Sequence, residues 1–238
     1  QAVIALPETR ALATAGHSIA ATFGYPDGEN IPLEVMLDMV GRIVAVAGDL
    51  PVSADLDAGY GNAGETTRRA IGVGVVGANV EDRLKPLAES IAAVEAIAAG
   101  HGPIAVDAVA AGAAEGVPFV LNARTDAFVR GGGRPVEESV ADAIERGQAY
   151  LAAGADVVFV PGILDADVTR QLVDGIGERK VSVIGLPGAL TAAEYEALGV
   201  ARISYGPTTQ RVALTALQDV AASLYDDGVI PLSTRALN

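Results

Sequence analysis

The sequence predicts a parallel α/β protein, a (β/α)8 barrel. Three observations carry that prediction. Short β-branched runs alternate with longer Ala-rich amphipathic runs along the whole chain. The phrase Gly-(Ala/Val)-x followed by a strand recurs at Gly77-Ala78-Asn79, Gly154-Ala155-Asp156 and Gly199-Val200-Ala201. No linker or low-complexity stretch divides the chain. Strict alternation requires parallel strands joined by crossover helices. The recurring phrase reads as the helix-to-strand turn of a βα unit.

Taken in order, the strand candidates are Arg10–Ala15, Leu50–Asp55, Ala78–Glu81, Val117–Arg124, Asp156–Val160, Lys180–Gly185 and Ala201–Ser204. Helical patterns fall between them near 33–48, 64–76, 87–99, 103–115, 136–153, 167–178 and 191–198, and a last one follows at 208–225. Pro32 and Pro135 stand at first turns, Glu137 and Glu138 follow Pro135, and Thr191 with Glu194 spells a capping box. Gly77, Gly116, Gly154 and Gly199 stand where helices should stop. Gly131-Gly132-Gly133 reads as a flexible loop after a strand end. A closed barrel needs eight strands, and seven are visible. The opening residues Gln1–Leu6 look like the tail of a helix, so the first strand is expected to be absent from this sequence. A seven-stranded or doubly wound sheet is the alternative. The whole of 1–238 reads as one barrel domain, with the helix at 208–225 available for exchange between subunits.

Composition excludes several functions. With 238 residues and 50% hydrophobic content, the chain can bury a large core and is no disordered tail. A net charge of −14 argues against nucleic acid or a membrane surface as partner. The absence of Cys rules out disulfides, thiolate zinc sites and Cys nucleophiles. No apolar run reaches the ~20 residues of a membrane span. The chain does not open on a signal segment, and a cytoplasmic enzyme is expected.

In a barrel, residues at the C-terminal ends of strands carry the chemistry. Those ends read Ala15-Gly16-His17-Ser18 with Tyr25-Pro26-Asp27-Gly28, then Asp55-Leu56-Asp57-Ala58-Gly59-Tyr60-Gly61-Asn62, then Asn79-Val80-Glu81-Asp82-Arg83, then Asn122-Ala123-Arg124-Thr125-Asp126. Carboxylates crowded on one rim raise each other's pKa unless a cation joins them. Hard oxygen donors suit Mg²⁺. Asp55 and Asp57, two apart, share one face of a strand; the same spacing also fits a loop with an Asx turn and a glycine hinge. Arg124 ends the apolar run Val117–Leu121 and must meet a carboxylate or an anionic ligand, so an ion pair with Glu81 or Asp126 stands beside substrate binding as a reading. His17 is either a general base, a metal ligand or a hydrogen-bonding loop residue, and His101 reads as solvated surface.

These segments together resemble the isocitrate lyase / phosphoenolpyruvate mutase superfamily. The most specific piece is Asp55-x-Asp57-x-Gly59-Tyr60-Gly61-Asn62. Gly24-Tyr25-Pro26-Asp27, Val80-Glu81-Asp82, Asn122-Ala123-Arg124-Thr125-Asp126, Val160-Pro161-Gly162 and Arg202-Ile203-Ser204 support it in the same order. The resemblance implies a (β/α)8 barrel that binds Mg²⁺ and a small α-keto or α-hydroxy carboxylate, and that makes or breaks a C–C or P–C bond through an enolate. It implies Asp55, Asp57 and Glu81 as the metal shell, direct or through water, with Asp27 close by. Arg124 aligns with an arginine that contacts substrate, and the amides around Ala15, Gly16 and His17 with the turn that receives its carboxylate. The expected catalytic set is Asp27, Asp55 and Arg124, with Tyr25 among the substrate-binding residues. A homo-oligomer, dimer or tetramer, is implied as well.

The sequence departs from that family at one place. Isocitrate and methylisocitrate lyases carry a Lys-Lys-Cys-Gly-His-like gating loop after the fourth strand, and phosphonate mutases a Lys-Thr-Asn-Ser-type loop. Here Arg83 is followed directly by Leu84-Lys85-Pro86-Leu87. Either the lid is short, or a segment between Arg83 and Leu84 is missing from this sequence. The absent Cys favours decarboxylase-like or retro-aldol chemistry over isocitrate cleavage. A phosphonopyruvate-type mutase or hydrolase, and a non-catalytic keto-acid-binding protein, are the alternatives.

Overall fold

A computed structural model describes residues 2–100 and 119–235. Its elements are β1 (Leu12–Ala13), α1 (Gly16–Thr22), α2 (Leu33–Ala47), β2 (Val52–Asp55), α3 (Ala63–Gly72), β3 (Gly77–Glu81), α4 (Leu87–Gly100), β4 (Val120–Arg124), α5 (Val136–Ala152), β5 (Val157–Phe159), α6 (Ala166–Ile176), β6 (Val181–Ile184), α7 (Ala192–Ala197), β7 (Arg202–Ser204) and α8 (Thr208–Asp226). Among the described residues the strands form one parallel sheet of seven in strict sequence order, β1 to β7. A doubly wound sheet would reverse its strand order midway, and this one does not. Gln210 Nε2, on α8, donates to the Ser18 carbonyl on α1 at 3.4 Å, so the last βα unit curls back to the first. Among the described residues the architecture is that of a (β/α)8 barrel lacking one strand.

The period-two alternation of each strand decides what the sheet offers to each side. Ala54, Ala78, Val80, Leu121, Ala123, Val158, Val181 and Val183 are all buried in the apolar clusters that join the strands to the surrounding helices. Removing such a side chain, as in Leu121→Ala, typically costs roughly 2–5 kcal/mol. The alternate residues point the other way. Register pairs Asp55 with Asn79, Asn79 with Asn122, Glu81 with Arg124 and Arg124 with Phe159. The chemistry therefore lies side by side along one rim of the sheet.

Several local expectations are realised, and others shift. Thr191 and Glu194 form the capping box of α7, and Asp165 caps α6 by accepting from the Val168 amide at 2.8 Å. β1 is two residues long instead of six, since as an edge strand it has only β2 to pair with. The opening segment forms turns over residues 2–8 where a helix tail was expected. Gly77 does not stop a helix: α3 ends at Gly72, Gly74 takes φ +95°, and Gly77 begins β3. A Cβ at position 77 would lie 2.9 Å from the Val120 carbonyl oxygen, so glycine lets β3 and β4 approach. The stretch Gly131-Gly132-Gly133 is a turn, held by Arg134 Nη2 donating to the Ala127 carbonyl at 2.9 Å. Helix α1 was not foreseen, because Gly16-His17-Ser18 reads locally as a polar turn. The expected helix at 103–115, His101, Gly116 and the start of the Val117–Arg124 run lie outside the described residues.

Candidate active site

A cleft of about 350 Å³ opens at the C-terminal ends of the strands. His17, Asp27, Asp55, Asp57, Glu81 and Arg124 all line it. Tyr25 is exposed and is not part of its lining.

Asp55 is the last residue of β2, and its carboxylate faces the first turn of α1. The Gly16 N–H donates to Asp55 Oδ2 at 2.8 Å, and Thr14 Oγ1 accepts from the Asp55 amide at 3.1 Å. The turn at Ala15-Gly16-His17 thus holds a carboxylate of the protein itself with the Gly16 amide. The His17 amide, in the first helical turn, lies outside the helix's own hydrogen-bond ladder. Burial raises the Asp55 pKa, against the opposing Gly16 hydrogen bond and the Arg124 charge.

Asp57 follows with φ +50°. Burial, and then repulsion from Asp55, Glu81, Asp27 and Glu29, pushes its carboxyl up to about 7. Four acidic neighbours acting on one buried carboxyl mark an excess of negative charge. Hard oxygen donors with that excess fit a divalent cation. Glu81 stands differently. Its Oε1 lies 3.1 Å from Arg83 Nε and its Oε2 2.8 Å from Arg124 Nη1, so both oxygens are already paired. Among the described residues no three acidic or His side chains are grouped closely enough to hold an ion together. Direct ligation by Asp55, Asp57 and Glu81 jointly is therefore not preformed. The residues that remain to meet a cation directly are Asp55 and Asp57, and Mg²⁺ commonly uses only one or two carboxylates plus waters.

Arg124 contacts Glu81 and, through Nε, Asp126 Oδ1 at 2.8 Å, and its guanidinium lies 5.9 Å from the Phe159 ring centroid. The ion pair anticipated with Glu81 or Asp126 is present with both. The same side chain lines the cleft, so a ligand would meet a guanidinium already fixed in orientation. His17 Nδ1 lies 3.4 Å from Asp27 Oδ2 at the more open side.

Three features were not legible in the sequence. Glu29 accepts from the Ala58 amide at 3.1 Å and the Tyr60 amide at 2.6 Å, and pairs with Arg83 Nη1 at 3.1 Å. One carboxylate so joins the loop before α2, the loop after β2 and the end of β3. Second, Asn79 Oδ1 accepts from Asn122 Nδ2 at 2.7 Å and Arg202 Nη1 at 3.0 Å, a polar layer beneath the cleft. Their placement at strand positions two before Glu81 and Arg124 was the available signal. Third, Glu29, Asp57, Tyr60, Arg83 and Leu84 are five of the six non-glycine residues with positive φ among the described ones. Strained backbone gathers at functional sites. At Arg83-Leu84 it makes a tight turn just after β3.

Residues 1–225 match the family described as phosphoenolpyruvate phosphomutase. The chain belongs to this phosphoenolpyruvate phosphomutase family. Within it, an oxaloacetate decarboxylase of Rhodopseudomonas palustris (strain BisA53) is 36% identical over 202 residues, which cover 79% of this chain and 64% of that protein. A 2,3-dimethylmalate lyase of Eubacterium barkeri is 30% identical over 216 residues, covering 87% and 71% respectively. Among solved structures, a 2,3-dimethylmalate lyase superposes with a TM-score of 0.77 at 25% identity, covering 98% of this chain and 82% of that one. Homologues in the family are lyases, mutases and hydrolases, and an enzyme is what the chain is expected to be from that company. Among the described residues no helix is long and apolar enough to cross a membrane.

Proposed function

We propose that this member of the phosphoenolpyruvate phosphomutase family is a Mg²⁺-dependent lyase. It breaks a C–C bond next to the carbonyl of a small α-keto or α-hydroxy carboxylate, leaving an enolate. The observation that carries the reading is the Asp55–Asp57 pair. Both carboxylates flank Gly16, with Asp55 Oδ2 and Asp57 Oδ1 each 3.3 Å from where its Cβ would stand. Asp57 is held near a pKa of about 7 by burial and by the acidic groups around it.

Mg²⁺ bound at Asp55 and Asp57 supplies Lewis acidity beside the reacting carbonyl. The protein's own groups do the rest. Arg124, fixed by Glu81 and Asp126, directs its remaining N–H toward a substrate oxygen and opposes the charge that develops there. Glu81, with both its oxygens paired to Arg83 and Arg124, would reach such a cation only through water and holds Arg124 in place. Phe159 and Pro161 form an apolar wall that limits water. With no Cys in the chain, the His17–Asp27 pair at 3.4 Å is the group placed to return a proton to the product carbon. Lys85 lies outside this cleft, which removes one cation that a phosphonate substrate would call on.

No residue of helix α8 is fully buried, and Val212, Leu214 and Leu217 are exposed on it. Such a surface fits the exchange of α8 between subunits of a homo-oligomer. The test of the functional reading is a screen of oxo and hydroxy acids with and without Mg²⁺, following loss of substrate. Turnover confined to Mg²⁺-containing samples supports it, and turnover indifferent to chelation opposes it.

A further inference from the structure

The carboxylate of Asp82 is buried and lies outside the lining of the cleft. Its two oxygens nevertheless receive four donors. Oδ1 accepts from the Leu84 amide at 2.8 Å and from the Asp126 amide at 3.0 Å. Oδ2 accepts from the Tyr150 hydroxyl at 2.7 Å and from Arg146 Nη1 at 3.2 Å. A carboxylate offers about four lone-pair sites, so this one is filled. Arg146 and Tyr150 stand one turn apart on α5, and Arg146 Nη1 also donates to the Lys85 carbonyl at 3.0 Å. A buried ion pair is weak evidence for added stability, because desolvation offsets the attraction. So complete a set of partners instead fixes where three chain segments stand relative to one another.

Both anchors of Arg124 lead back to this carboxylate. Asp126, whose amide Asp82 holds, accepts from Arg124 Nε at 2.8 Å. Glu81, 2.8 Å from Arg124 Nη1, is itself paired with Arg83. Arg83 lies in the positive-φ turn that Asp82 closes through the Leu84 amide and Arg146 through the Lys85 carbonyl. We propose that Asp82, clamped by Arg146 and Tyr150, is a positioning residue that aims the Arg124 guanidinium into the cleft from outside it. In this role, which rests on the functional reading above, Asp82 acts on the ligand through Arg124 and touches neither ligand nor cation. The carboxylates of Asp55 and Asp57 share no hydrogen bond with Asp82, Arg146 or Tyr150 among the described residues; their contacts are with Gly16 and Tyr60. Disturbing Asp82 therefore misdirects Arg124 and leaves the cation's donors in place.

The experiment measures two affinities by calorimetry: oxalate at saturating Mg²⁺, and Mg²⁺ alone. The proteins are the wild type, Asp82→Asn, Arg124→Lys and the double variant of the two. Asparagine keeps an acceptor for the two amides but turns a donor toward Arg146. The expected result is that Asp82→Asn binds oxalate about tenfold more weakly, within the range for leaving one buried hydrogen-bonding group badly paired, and keeps the Mg²⁺ affinity of the wild type. In the Arg124→Lys background Asp82→Asn has little further effect on oxalate, because the ammonium has no Nε for Asp126 to hold. A residue that served stability alone would add its effect in full. Tyr150→Phe removes one oxygen and keeps the ring; it takes the place of Asp82→Asn, alone and in the double variant, if that protein does not fold. Unchanged oxalate affinity, additive losses in the double variant, or parallel loss of oxalate and Mg²⁺ affinity overturns the inference. With Arg124→Lys weakened for oxalate, each of these leaves the functional reading standing. A wild type that binds no oxalate, or an Arg124→Lys protein that binds it as the wild type does, overturns both the inference and the role of Arg124 on which it rests.

Discussion

The Gly16 backbone N–H donates to Asp55 Oδ2 at 2.8 Å, which ties the first turn of α1 to the last residue of β2. A Cβ at position 16 would stand 3.3 Å from this oxygen and 3.3 Å from Asp57 Oδ1. Gly16→Ala therefore acts on the two carboxylates more than on the backbone, because Gly16 already lies in a helix, where alanine is well tolerated. The expected outcome is a melting temperature close to wild type and a Mg²⁺ affinity several-fold weaker. Calorimetric titration of the metal beside a thermal melt checks this, and unchanged affinity would refute it.

Asp57 makes stability depend on pH. Its carboxyl ionises near 3.8 when unperturbed and near about 7 in the fold, where burial and four acidic neighbours oppose the charge. Between those values the folded chain holds a proton that the unfolded chain has lost. The folded state is thus favoured most below the unfolded pKa, and that contribution declines as pH rises toward 7. Melting temperatures taken in chelator from pH 5 to pH 8 should fall more steeply for the wild type than for Asp57→Asn, which cannot ionise. Parallel curves for the two proteins would count against this environment for Asp57.

Arg124 serves two masters at once, with Glu81 and Asp126 each 2.8 Å away. Lysine has a single ammonium and cannot reproduce the fork. Arg124→Lys should weaken oxalate or pyruvate binding by roughly 1–3 kcal/mol, the range for leaving a buried hydrogen-bonding group unsatisfied. Because Glu81 and Asp126 are buried, the melting temperature should fall as well. Loss of stability with intact ligand affinity would assign Arg124 to the ion pairs alone.

How much of this was legible in the sequence depends on the range of the interaction. The capping box at Thr191 and the strand-helix alternation are local, and the structure carries both. Asp55 and Asp57 were expected to share one strand face, but β2 ends at Asp55 and Asp57 stands in the turn after it with φ +50°, so a turn and not strand alternation brings the two carboxylates to one cleft. The rim formed by Asp55, Glu81 and Arg124 followed from placing each at a strand end. What stayed hidden was pairing across loops. Glu29 lies 31 residues from Tyr60 and looks like any surface acid until the fold brings it to the Tyr60 and Ala58 amides. Glu81 was expected in the metal shell on the resemblance, and its pairing with Arg124 stood among the readings; what nothing in the sequence says is that Arg83 folds back onto its other oxygen. Helix α1 escaped notice because Gly16 is a poor helix former, and its place at the helix start is set by the Asp55 contact.

The exposed apolar face of α8 predicts association. Light scattering should give a mass that is a multiple of the 24.0 kDa chain. Leu217→Glu, at a residue 64% exposed in the single chain, should shift the protein toward monomer without lowering its helix content. A wild type that runs as a monomer at micromolar concentration would contradict the proposal for α8.

The central claim is that Asp55 and Asp57 hold the cation on which the chemistry depends. The most direct measurement is the consumption of oxaloacetate by wild type and Asp57→Ala across a Mg²⁺ titration, with Mg²⁺ binding followed on the same samples by calorimetry. The account predicts a saturable dependence on Mg²⁺ for the wild type. For Asp57→Ala it predicts loss of both turnover and measurable Mg²⁺ binding, with the fold retained. A variant that binds Mg²⁺ as the wild type does, or a wild type equally active in chelator, would contradict it.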